Sequence, residues 1–97
     1  MVDPIYIALG ERIRRRREKL ELTQQQLADQ VNLSRTSVTN IERGRQAVLL
    51  HQLVLFAHAL DLKVTALIPS AKETPSLMRA APEDEIAKMM KRLRATA

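Results

Sequence analysis

The sequence predicts an all-α fold: five short helices forming one domain, with a C-terminal helical extension. Three observations predict it. Leu, Ala, Arg, Gln and Glu are abundant, whereas only Tyr6 and Phe56 are aromatic and only two residues are Gly, a composition that favours helix over sheet. Residues 5–68 contain no proline. Apolar residues recur at steps of three and four rather than alternating. With 97 residues, 45% of them hydrophobic, the chain has material for one core of ordinary domain size. The expected division is a domain over residues 1–68, a linker over 69–82 and an amphipathic helix or tail over 83–97.

Each helix has its own start and stop signals. Asp3 caps the first, with Pro4 at the position where its missing N–H costs nothing; Ile5, Leu9, Ile13, Arg17 and Leu20 form one face. The second starts at Thr23, and Gln26 three residues on completes a capping box. Leu27, Ala28 and Val31 supply its apolar side. Asn32-Leu33-Ser34 makes a tight turn, because Asn tolerates a left-handed backbone and Ser34 caps the third helix. The third helix runs to about Arg43 and stops at Gly44. A fourth spans roughly 49–60, where Leu49, Leu50, Leu53 and Val54 either contribute apolar surface near a two-fold axis or, for most of them, belong to the core. A short fifth lies near 64–68.

The third helix carries the functional reading. At about 100° per residue, with Arg35 at zero, Thr39 falls near 40°, Thr36 near 100° and Asn40 near 140°. Val38 and Ile41 lie opposite and anchor the helix to the core. Arg35, Thr36, Thr39 and Asn40 are thus left facing outward together. Arg and Asn carry the paired donors and acceptors that match guanine and adenine edges in the major groove, and Thr offers a hydroxyl and a methyl. Two short helices joined by a three-residue turn, the second with a polar outer arc, fit a helix-turn-helix reader of double-stranded DNA.

The stretch LTQQQLADQVNLSRTSVTNIERGRQ, from Leu22 to Gln46, closely resembles the Cro and phage-repressor (XRE-type) family of helix-turn-helix domains. The resemblance extends from about Leu9 through LHQLVLFAHALDLKVTALIP. It implies the five-helix, lambda-repressor-like architecture, homodimers on DNA and, as a rule, repression of transcription. It assigns Gln24 to a DNA phosphate, and Ser34 to backbone or a thymine methyl. It places Arg43, Arg45 and Gln46 near the opposite phosphates, and Arg35, Thr36, Thr39 and Asn40 at the bases. It also implies a buried ion pair between Arg17 and Glu42, which accounts for an arginine within an apolar stripe. Three positions depart from the family pattern by lacking a frequent glycine: Asn32 in the turn, Glu21 after the first helix and Asp61 after the fourth.

Other features have plainer readings. Sixteen Lys and Arg against eleven Asp and Glu give a net charge of +5, which suits a polyanionic partner without naming it. The run Arg14 to Arg17 points four ways on a helix. It reads either as a solvated face adding long-range attraction or as a source of one direct phosphate contact. His51 and His58 lack the Cys or carboxylate company of a metal site, so no metal or cofactor is expected. No nucleophile has a base and an orienting acid beside it, so no enzymatic activity is expected. With no Cys, no long apolar run and no secretory pattern at its start, the chain reads as cytoplasmic and not bound to a membrane.

The tail presents Ile86, Met89, Met90 and Leu93 as a stripe. It can pack on its own domain, pack across a dimer, or form a disordered or partner-seeking tail. Two alternatives to a repressor therefore stay open: an antitoxin-type autoregulator whose tail binds a partner protein, and an adaptor that no longer binds DNA.

Overall fold

A computed structural model describes residues 3–70 and, separately, Lys91. The expectations for residues 71–97 other than Lys91, which include most of the linker and nearly all of the tail, lie outside the described residues. Five helices come in order: α1 Pro4–Lys19, α2 Gln24–Val31, α3 Arg35–Glu42, α4 Leu50–Ala59 and α5 Val64–Leu67. Among the described residues there is no strand, and no helix is long and apolar enough to cross a membrane.

The predicted caps form. The Asp3 carboxylate accepts from the Ile5 N–H at 2.9 Å. Thr23 and Gln26 make both halves of the capping box, at 3.0 and 2.8 Å, and Ser34 Oγ accepts from Ser37 N–H at 3.0 Å. At α4, Leu49 has no side-chain acceptor, so Gln52 supplies only the returning bond, accepting from the Leu49 N–H at 2.9 Å.

Helices α1, α3 and α4 all end in the same way. After each, the second residue past the cap donates to a carbonyl five back: Leu22 to Arg17, Arg45 to Asn40 and Leu62 to Ala57, at 2.8–3.0 Å. This Schellman geometry requires a left-handed residue just past the cap. Those residues are Glu21 (φ 58°), Gly44 (φ 72°) and Asp61 (φ 53°), and Asn32 closes α2 with φ 56°. Only one of the four is glycine. The positions where the sequence lacks the frequent glycine keep the backbone conformation that glycine would favour.

The core is aliphatic around one aromatic ring: Leu9 and Ile13 from α1, Leu27, Ala28 and Val31 from α2, Val38 and Ile41 from α3, Phe56, Ala57 and Leu60 at α4, and Leu67 from α5. Helix α1 packs on α3 and α5, while α2 packs on α3 and α4. Gly10 permits the closest of these approaches, since a Cβ there would lie 2.1 Å from the Ile41 carbonyl oxygen.

Two packing expectations are corrected. Leu20 leaves the apolar face of α1, because it caps the helix and is exposed. Leu49, Leu50 and Val54 are exposed rather than core, Leu50 at 76%. The α4 helix buries the side bearing Phe56 and Ala57 instead.

Candidate nucleic-acid interface

Helix α3 buries Val38, Ile41 and Glu42. Of the four side chains assigned to its outer arc, Arg35 and Thr36 are exposed while Thr39 and Asn40 are half-buried. The arc therefore exists, but it is graded. Arg35 and Thr36 project at the N-terminal end. Asn40 sits where its own carbonyl accepts the Schellman bond from Arg45 N–H at 2.9 Å.

Thr39 is tied inward. Its hydroxyl lies 3.0 Å from Gln24 Oε1 and 3.0 Å from the Arg35 carbonyl. One proton serves only one of these acceptors at a time, so the methyl is the part of Thr39 left for a base.

Gln24 is the side chain whose placement the sequence did not reveal. Its Oε1 receives the Thr39 hydroxyl, and its Nε2 donates to Glu42 Oε1 at 3.1 Å. Gln24 thus bridges the outer arc of α3 to a buried carboxylate.

That carboxylate is held by Arg17, as expected. Arg17 Nε donates to Glu42 Oε2 at 2.7 Å and its terminal nitrogen to Oε1 at 3.0 Å, a bidentate fork. The third donor of Arg17 reaches the Leu22 carbonyl at 2.8 Å, next to the left-handed Glu21. The Glu42 side chain is only 1% exposed and that of Arg17 11%. The hydrogen bonds to Glu42 are the main reason the Arg17 guanidinium is held above its ordinary value, against the opposing effect of burial. The chain Arg17–Glu42–Gln24–Thr39 therefore links α1, α2 and α3 and fixes how far α3 stands out from the domain.

The other arginines of the run, and Arg12 before it, also have intramolecular partners. Arg14 pairs with Glu18 at 3.4 Å and Arg15 with Glu11 at 2.6 Å, both one turn apart on α1. Arg16 donates to the Leu60 carbonyl at 2.9 Å, and Arg12 to the Ala66 carbonyl at 2.9 Å. These last two satisfy carbonyls at the ends of α4 and α5. On α1 they sit roughly opposite the side that meets α3. Of the two readings of the run, the structure gives each of its members an intramolecular partner.

The charges exposed between Leu22 and Leu49 are Arg35, Arg43, Arg45 and Asp29. Arg43 and Arg45 lie just past α3, with Gln46 half-buried beside them. The capping box occupies the Thr23 and Gln26 N–H groups, leaving those of Gln24 and Gln25 at the open end of α2, an arrangement suited to an anion. Ser34, assigned to backbone, already uses its oxygen as the cap of α3. Its hydroxyl proton is the part it can offer outward. A rigid helix edge with an arginine and an amide, flanked by guanidiniums and free N–H groups, can read base edges while gripping phosphates.

A family model described as helix-turn-helix matches residues 13–67. The chain is 36% identical over 91 residues to the immunity repressor protein of Bacillus phage phi105, covering 91% of this chain and 63% of that protein. It therefore spans less than two thirds of that relative's length. The restriction-modification controller protein C.AhdI from Aeromonas hydrophila superposes with a TM-score of 0.63 at 33% identity, covering 65% of this chain and 96% of the controller. The P22 c2 repressor, solved in complex with a synthetic operator, gives a TM-score of 0.59 at 32% identity, covering 62% of this chain and 91% of the repressor.

Proposed function

The chain belongs to the helix-turn-helix family, and on that premise we propose that it is a cytoplasmic, sequence-specific DNA-binding regulator. It acts as a homodimeric repressor on a pseudo-palindromic operator. One observation carries this reading: α3 presents Arg35, Thr36 and Asn40 on its outward side while Val38, Ile41 and the buried Arg17–Glu42 pair clamp its inner side. A reader helix must be held rigidly to convert side-chain chemistry into base discrimination. Two copies on a dimer axis would set their reader helices about 34 Å apart, one turn of duplex.

The roles divide by chemistry. Arg35 suits a bidentate contact to guanine and Asn40 one to adenine, while Thr36 and the Thr39 methyl suit thymine methyls. Gln24, Ser34, Arg43, Arg45 and Gln46 contact phosphate and set register. The immunity repressor of phage phi105 and the operator-bound P22 c2 repressor support repression over activation. No catalytic residue or cofactor is assigned. Neither an antitoxin-type tail function nor an adaptor that has lost DNA binding is favoured by any feature of α2 and α3, and an adaptor helix would expose apolar side chains where α3 exposes polar ones.

The test is selection of bound duplexes from a random pool. The reading requires an enriched, two-fold-related site with half-sites about one helical turn apart. Failure to enrich any sequence, with only salt-sensitive retention of the pool, would contradict it.

A further inference from the structure

An apolar groove of about 240 Å³ runs between the start of α1 and α4. It is lined by Ile5, Tyr6 and Leu9 from α1 and Leu50 and Leu53 from α4, together with Ile68. Leu50 and Ile68 remain 76% and 48% exposed, and Leu49 and Val54 beside them are exposed as well. Contiguous apolar surface of this kind marks a docking site. It belongs to none of the residues assigned to DNA.

We propose that the groove is filled by residues 83–97 of the same chain. Two features of the molecule select this occupant. Ile68 and Pro69 both line the groove, so the chain leaves the described fold at Ser70 from the rim of the groove itself. The C-terminal segment brings a matching apolar stripe, Ile86, Met89, Met90 and Leu93, at steps of three, one and three. On a helix these fall along one side, and methionine adapts to an irregular apolar surface. A helix of this length is marginal in water and needs a surface to lie on.

Length favours the same chain over a second copy. About twelve residues separate Ser70 from Glu83. As a flexible linker they average roughly 20 Å end to end and reach about 40 Å when extended, which matches a groove that starts at their own origin. Such a tether gives an effective concentration in the millimolar range, so docking on the chain's own groove needs no second copy. The proposal does not depend on the DNA-reading assignment.

The chain has no Cys, so a single engineered disulfide can report the docking in the full-length protein. Leu50→Cys with Met89→Cys should close an intrachain bond under mild oxidation, read as a monomer mass with no free thiol. Adding Ile86→Asp should slow closure at least tenfold. A covalent dimer as the main product would overturn the proposal in favour of a second copy. Thiols that stay free, or closure unaffected by Ile86→Asp, would overturn it in favour of an open groove or chance collision. Leu50 is mostly exposed and is none of the residues assigned to DNA, so folding and DNA binding of the variant serve as independent controls.

Discussion

Replacing Arg17 with methionine removes the fork on Glu42 and the bond to the Leu22 carbonyl, leaving Gln24 Nε2 as the remaining donor to that carboxylate. Glu42 is then a buried charge without its counter-ion, a change that costs about 3–5 kcal/mol. The expected destabilisation is therefore about 3–4 kcal/mol at pH 7. In wild type, the cation's value is raised by Glu42. Its contribution is complete below the ordinary arginine value and lost only as pH climbs past the raised one, so the pair is intact at pH 7. Urea unfolding monitored by circular dichroism, at one fixed protein concentration, measures the loss. At pH 7 the thermal midpoint should fall by roughly 15 °C. In an Arg17→Met, Glu42→Met double variant the penalties should not add, with a coupling of at least about 2 kcal/mol. A loss below about 0.5 kcal/mol at pH 7 would refute the pairing as a structural clamp.

Three further outcomes rest on particular residues. Gly10→Ala should destabilise by at least about 2 kcal/mol, since its methyl meets the Ile41 carbonyl, which is backbone and cannot swing aside; an unchanged urea midpoint would contradict that. Glu21→Gly should stabilise by about 0.5–1 kcal/mol, the relief of a left-handed L-residue outweighing the added chain entropy, and a lowered midpoint would contradict it. Arg16→Ala should cost about 1 kcal/mol of stability by freeing the Leu60 carbonyl, while leaving affinity for an operator within twofold. A tenfold loss of affinity would instead make Arg16 a phosphate contact.

The helices were legible because their signals are local. Caps at Asp3, Thr23 and Ser34 and the stop at Gly44 each involve residues within a few positions of one another. The outer arc of α3 was legible for the same reason, since period alone separates Arg35 from Val38. The features that could not be read depend on which distant element meets a given side chain. Arg12 and Arg16 end on carbonyls 54 and 44 residues away, and no pattern in α1 indicates that. The bridging role of Gln24 needs both Thr39 and Glu42 in place. The exposure of Leu49, Leu50 and Val54 depends on which side of α4 faces Phe56's neighbours, and the apolar run at residues 53–57 carries no period of its own to decide it. Gly10 did leave a signal, a glycine in the middle of a helix-favouring run, but its meaning appears only with α3 against it.

The proposed function requires the outer side of α3 to read bases rather than merely grip phosphate. The most direct measurement compares wild type and Arg35→Ala on two duplexes, the site enriched from a random pool and a scrambled version, at one salt concentration. Base reading predicts a loss of about 1–3 kcal/mol on the enriched site, little change on the scrambled duplex and relaxed preference at one base pair. Equal losses on both duplexes would make Arg35 a phosphate contact and contradict base reading by α3.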